Sequence, residues 1–200
     1  MSDEPLVSVV LIGFNDVGRI GRALESIRRQ TLRSIEIIVV DDASTDGTAE
    51  YVESVAVNDS RIRLLTRSEN SGGCSAPRND GLWVARAPWV MFCDSDDEYD
   101  MHACATLLRA AEDWNADVVC GTAIRHDVAR DRDQRGGEED AAGDDVPPGP
   151  FGAVALVRGV DAGFHFGAVQ GEHEVAGLQV LKDGRWILIE PHPDALVVNP

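Results

Sequence analysis

Two runs near the start of the chain, Leu6 to Ile12 (LVSVVLI) and Ile35 to Val40 (IEIIVV), are short, β-branched and apolar at almost every position. A half-exposed strand alternates apolar with polar residues, so these runs predict strands buried on both faces of a parallel sheet. Between them Ile20, Ala23, Leu24 and Ile27 recur at steps of three and four, placing them on one face of an amphipathic helix over 17–29. Ser44-Thr45-Asp46-Gly47 opens a second helix, with Tyr51, Val52 and Val55 on its inner face. The alternation continues with a strand over 61–66, a helix over 75–87 carrying Pro77 in its first turn, a strand over 88–93, a helix over 101–114 and a strand over 117–121. This order predicts an α/β fold, an open and largely parallel sheet with helices on both faces. Ligands of such sheets sit beyond the carboxyl ends of the strands. Gly13-Phe14-Asn15, Asp41-Asp42 and Asp94 to Asp97 all fall at those ends.

The formal charge of −17 narrows the partners. Nucleic-acid binding draws its affinity from Lys and Arg neutralising phosphates, so a DNA or RNA partner is not expected. A small anionic ligand stays compatible if a cation or a local Arg offsets the field. Cys74, Cys93, Cys104 and Cys120 lack CxxC spacing, which leaves zinc and thioredoxin-like redox motifs without support and predicts reduced thiols. No signal-peptide pattern and no apolar run near 18 residues is present, so a cytoplasmic chain without a transmembrane segment is expected.

Composition changes sharply after the fifth strand. Residues 126–150 mix charge, Gly and Pro with almost no large apolar side chain, as a flexible linker does. Beyond it, Gly177 to Leu181 and Trp186 to Ile189 read as a hairpin around Lys-Asp-Gly-Arg, and Ala195 to Val198 as a further short strand. The expected organisation is thus an α/β domain over 1–125, the linker, and a β-rich tail over 151–200.

Five strings, VSVVLIGFN, ALESIRRQT, IEIIVVDDASTDGT, NSGGCSAPRNDGLWVA and WVMFCDSDDEYD, occur in order at suitable spacing. Together, from about Val7 to Gly121, they resemble the nucleotide-sugar-binding half of a family 2 glycosyltransferase of GT-A (Rossmann-like) fold. The resemblance implies metal-assisted sugar transfer from a UDP-, GDP- or TDP-sugar to an acceptor hydroxyl, with inversion at the anomeric carbon. A nucleotide-sugar-binding module without turnover is the alternative.

A nucleoside diphosphate sugar presents a base, a ribose, a diphosphate and a departing sugar, each needing its own partner. Phe14 can offer a π-face to the base and Asn15 an amide to its polar edge, while a loop Phe folded onto the core is the plain structural role. Asp41 and Asp42 end the second strand, where one can accept from the base N–H or a ribose hydroxyl. The resemblance favours Asp42, and helix entry is its competing role. Asp94-x-Asp96, followed by Asp97, matches the family's DxD-type motif. Hard carboxylate oxygens suit Mg²⁺ or Mn²⁺, and residues two apart in an extended segment would face one ion. Arg78 and Asn79 match an Arg-Asn of the family, with Arg78 expected on the diphosphate or positioning Asp42. Glu98 and Asp100 are expected to lead into the next helix.

No catalytic base is identifiable. Inverting transfer needs a group to take the acceptor's proton, and the family's downstream Asp has no counterpart here: Glu138-Glu139-Asp140 lies in the linker and Glu172-His173-Glu174 in the tail. From about Val160 to Asn199 the tail is instead similar to a fragment of an iron- and 2-oxoglutarate-dependent oxygenase of the isopenicillin synthase type. That family's His-x-Asp pair is replaced by Asp161-Ala162-Gly163, so iron binding is not expected. Two resemblances in one chain are what a chimera, a rearranged reading frame or a truncated protein would show.

Overall fold

The computed structural model describes residues 4–121 and 156–158, with the backbone alone of 154–155, 178–182, 185–189 and 197–198. The elements are β1 (Val7–Gly13), α1 (Ile20–Arg28), β2 (Ile35–Asp41), α2 (Thr48–Ala56), β3 (Ile62–Thr66), α3 (Ser75–Val84), β4 (Trp89–Asp94), α4 (Ala103–Asp113), β5 (Val118–Gly121), β6 (Val154–Arg158), β7 (Leu178–Lys182), β8 (Arg185–Ile189) and β9 (Val197–Val198). One sheet runs in the order β3-β2-β1-β4-β6-β5-β9, and β7 pairs with β8 separately. The pairs β1 with β2, β1 with β4 and β2 with β3 are parallel, as expected of the α/β class.

Every residue of β1 and β2 is buried, so alternate side chains feed two cores. Val7, Val9, Leu11, Ile35, Ile37 and Val39 pack on one face with Ile20, Leu24 and Ile27 of α1, Val52 of α2 and Leu107 of α4. Val10, Ile12, Ile38 and Val40 meet Leu82 and Val84 of α3 on the other. Each such side chain, once fully buried, contributes about 1.5–3 kcal/mol. The first two connections run to one side of β1 and use one face; the third crosses back and uses the other, as right-handed crossovers require.

Gly81 lets α3 lie close on this second face. A Cβ there would stand 2.3 Å from Val10 Cγ1 and 3.2 Å from Val40 Cγ2. On the first face a buried amide joins α1 to α4. Gln30 Oε1 accepts from the Cys104 N–H at 2.9 Å, while Gln30 Nε2 donates to the Asp100 carbonyl at 2.7 Å. The α4 cap residue His102 makes no side-chain cap bond, so Gln30 satisfies one of the helix's free N–H groups from a distance. Its second bond also fixes the chain leaving β4.

The strand β6 departs from the sequence reading, which assigned no strand between 151 and 177. It lies antiparallel between β4 and β5, pairing Met91 with Leu156 and Val119 with Leu156. Leu156 is fully buried in the first core, and Arg158 stacks its guanidinium 4.8 Å from the Trp89 ring centroid while pairing with Asp117 at 3.2 Å. The run is too short to announce itself, because its burial depends on a gap that only the assembled sheet provides. The expected hairpin is present as β7 and β8, and β9 pairs with β5. The linker, Glu138-Glu139-Asp140, Glu172-His173-Glu174 and the rest of the oxygenase-like segment lie outside the described residues.

Candidate active site

Register brings the acidic strand ends together. Gly13 pairs with Asp41, Ile12 with Asp94, and Asp41 with Thr66, so β1, β2, β3 and β4 finish on one edge. The strand order reverses between β1 and β4, and a crevice opens at such a switch point. The first strand-to-helix loop and the acidic segment after Cys93 flank it.

In that loop Phe14 is half exposed and belongs to neither buried core cluster. Asn15 adopts φ 49° and is held from both ends: its N–H donates to Ser44 Oγ at 2.8 Å, and its Oδ1 accepts from the Thr45 N–H at 2.8 Å. The amide oxygen expected for a ligand therefore ties this loop to the one after β2. Asp16, which the sequence reading passed over, is buried and accepts from Arg19 Nε at 2.6 Å and from Ser95 Oγ. It joins the first loop to the acidic segment.

The adjacent carboxylates of Asp41 and Asp42 divide the roles that the sequence left together. Asp41 Oδ2 accepts from the Ser44 N–H at 3.0 Å and so performs the turn into α2. Its Oδ1 is buried without a hydrogen-bond partner among the described residues. Asp42, also buried, faces the loop after β3 instead: Oδ2 accepts from Asn70 Nδ2 at 3.1 Å, the Ser71 N–H at 3.0 Å and Ser71 Oγ at 2.7 Å. Oδ1 shares the Ser71 N–H at 3.2 Å and stands 2.8 Å from Arg67 Nε in an ion pair that lacks hydrogen-bond alignment. Three donors crowd one oxygen, and the other retains acceptor capacity for a ligand N–H or hydroxyl.

The guanidinium beside Asp42 is Arg67, not Arg78. Arg78 lies on α3 and donates from Nη2 to Asp94 Oδ1 at 2.6 Å and Oδ2 at 2.8 Å. Of the two roles expected for Arg78, its side chain does not take the one beside Asp42, and the reason is placement: the first turn of α3 faces the end of β4. Asn79 follows it, partly buried on the same helix. Arg67, Asn70 and Ser71 were missed by sequence reasoning, although Arg67 directly follows a strand end and the rule that marked the other clusters would have found it.

The acidic segment is not an extended ladder. A turn at Ser95-Asp96 is closed by the Asp97 N–H donating to the Asp94 carbonyl at 3.1 Å. The alternation expected to aim Asp94 and Asp96 at one ion is broken there. Asp96 stands 3.6 Å from Arg19 instead, and among the described residues no group of three His, Cys, Asp or Glu side chains is gathered to hold a metal ion. Loss of water around the Asp97 carboxyl, then repulsion from Asp94 and Asp96, raise its pKa above the ordinary value against the pull of Arg78. Negative charge is thus incompletely offset here. Asp100 accepts from the His102 N–H at 2.8 Å and so serves the entry to α4, whereas Glu98 pairs with Arg22 of α1 at 3.5 Å.

Fold and site define an α/β protein of GT-A type, with its ligand edge at the reversal of strand order. The sequence matches the family model described as Glycosyl transferase family 2 over residues 8–166, and the chain belongs to that family. The match extends through β6. It is 36% identical over 122 residues to glycosyltransferase GlyG of Streptococcus pneumoniae serotype 4, covering 61% of this chain and 40% of that protein. It is 33% identical over 117 residues to the poly(ribitol-phosphate) β-N-acetylglucosaminyltransferase TarP of Staphylococcus aureus, covering 58% and 36%. Among solved structures, S. aureus TarS 1–349 in complex with UDP-GlcNAc matches with TM-score 0.55 and 29% identity over 60% of this chain and 37% of that one. The mannosyltransferase PcManGT of Pyrobaculum calidifontis, in complex with GDP-Man and Mn²⁺, matches with TM-score 0.56 and 25% identity, covering 60% and 36%. The chain therefore spans well under half the length of these proteins.

Proposed function

We propose that the chain transfers a sugar from a nucleoside diphosphate donor to an acceptor hydroxyl. The observation that carries this reading is the convergence of Asp42, Asp94 and the Phe14 loop on one sheet edge, in a chain of a glycosyltransferase family. Phe14 supplies a face for the base, and Asp42 Oδ1 accepts an N–H from the base or a hydroxyl from the ribose. Asp41 Oδ1 provides a second acceptor nearby. Arg78 orients Asp94 and brings positive charge toward the diphosphate, with Asn79 alongside it.

Mg²⁺ or Mn²⁺ fits the chemistry of Asp94, Asp96 and Asp97, all hard oxygen donors whose charge Arg78 and Arg19 only partly balance. When bound, a divalent cation stabilises negative charge on the departing diphosphate. Such ions need only one or two protein carboxylates beside phosphate oxygens and water, so these residues complete the site together with the donor. In the reaction the acceptor oxygen attacks the anomeric carbon, the bond to the β-phosphate oxygen breaks, and its electron pair leaves with the nucleoside diphosphate. Attack opposite the leaving group inverts the centre. A base outside the residues assigned here takes the hydroxyl proton.

Calorimetry of the protein with UDP, GDP and TDP, with and without Mn²⁺, tests the donor site. Binding that Asp94→Ala with Asp96→Ala removes supports it. Failure of all three nucleotides to bind, or an unchanged double variant, sinks it. A donor and acceptor screen then tests turnover.

A further inference from the structure

We infer that Arg67 is a positioning residue for Asp42, and that Asp80 on α3 holds Arg67 in place. This deepens the proposed donor site and rests on the reading of Asp42 as its base- or ribose-binding carboxylate.

Asp42 is only 3% exposed. A buried carboxylate needs a compensating charge as well as hydrogen bonds. Asn70 and Ser71 supply neutral donors to Oδ2, whereas Arg67 brings a positive charge 2.8 Å from Oδ1, the oxygen left with acceptor capacity. The backbone of Arg67 is fixed as well, its N–H donating to the Asp41 carbonyl at 2.9 Å. At the far end of the guanidinium, Nη1 meets Asp80 Oδ2. Asp42, Arg67 and Asp80 thus form a chain of alternating charge from the ligand edge to α3.

That helix also carries Arg78, two residues before Asp80. Residues two apart on an α-helix diverge by roughly 200°, so they reach toward opposite sides. Arg78 grips Asp94 at the end of β4, and Asp80 reaches Asp42 through Arg67 at the end of β3. One helix therefore sets both carboxylates at the site. Gly81, which seats α3 against Val10, fixes the height from which both arms reach.

Arg67 and Asp80 line an open groove of about 440 Å³ with Leu65, Trp83 and Val84. The Arg67 side chain is 26% exposed there. A guanidinium ion from solution can consequently enter the space that truncation of Arg67 would leave.

The test measures UDP binding to wild type, Asp42→Asn, Arg67→Ala and Asp80→Asn by calorimetry, with thermal melts of each protein. Arg67→Ala is expected to weaken UDP about tenfold, the scale of a lost interaction with a charged group. Millimolar guanidinium, but not urea, should restore most of that loss. Arg67→Ala added to Asp42→Asn should cost little more, because the two act through one carboxylate. A purely structural role predicts a lowered melting temperature and no guanidinium rescue, which overturns the inference. UDP affinity equal to wild type in Arg67→Ala also overturns it while leaving the donor-site reading intact. No UDP binding by wild type, or no effect of Asp42→Asn, removes both. Should Arg67→Ala not fold, Asp80→Asn, altered on the exposed side of α3, must weaken UDP several-fold; an unchanged affinity there refutes the proposed chain.

Discussion

Arg78 Nη2 donates to both carboxylate oxygens of Asp94, at 2.6 and 2.8 Å, and so joins the first turn of α3 to the end of β4. Charge-assisted bonds of this kind contribute about 1.5–3 kcal/mol, so Arg78→Ala should lower kcat/KM for the nucleotide-sugar by about 10- to 100-fold. Arg78→Lys should recover only part, since a flexible ammonium keeps the charge without the fixed donor geometry of the guanidinium. Steady-state release of nucleoside diphosphate measures both, and equal kinetics in Arg78→Ala and wild type would refute the role.

Removal of divalent metal should weaken UDP binding by about tenfold or more, because Asp94, Asp96 and Asp97 would then face the diphosphate with their charge only partly balanced by Arg78 and Arg19. Calorimetry in EDTA against Mn²⁺ reads this directly. In Asp96→Asn the difference should shrink, and a metal response as large as in wild type would remove Asp96 from the ligand set.

Gly81→Ala should destabilise the fold. Its new methyl would overlap Val10 at 2.3 Å, and such overpacking costs about 1–3 kcal/mol, enough to outweigh the better helix propensity of Ala. Urea unfolding followed by circular dichroism is the measurement. An unshifted midpoint would show that α3 lifts away from β1 without penalty.

Glu36 should make stability depend on acid. It is 2% exposed and accepts from Ser8 Oγ at 2.6 Å, the Arg86 N–H at 2.6 Å and Arg86 Nε at 2.9 Å. Burial alone would raise its pKa, but the bonds from Ser8 and Arg86 outweigh burial and hold it below the ordinary value. A depressed folded pKa gives stability that is present above the unfolded value, about 4.3, and is lost as pH falls through the lower folded one. The urea midpoint of wild type should therefore fall more steeply below about pH 4.3 than that of Glu36→Gln. Parallel pH profiles would deny Glu36 this part.

The strand and helix order was legible because β1 and β2 are apolar on both faces and α1 carries a clean stripe of Ile20, Ala23, Leu24 and Ile27. The acidic clusters were legible as well, since strand ends in an α/β sheet lie on one edge whatever the loops do. The partner of each carboxylate was not. Nothing in the string NSGGCSAPRNDG distinguishes a guanidinium that reaches Asp94 from one that reaches Asp42.

Residue pattern by itself determined which segments are buried and where carboxylates cluster, because period and burial are local properties of the chain. Tertiary structure alone decided that Arg78 serves Asp94 and Arg67 serves Asp42, that a turn at Ser95-Asp96 separates Asp94 from Asp96, and that β6 fills the space between β4 and β5. These depend on which strand ends meet across the sheet, and that is set by register and helix placement between residues far apart in the chain.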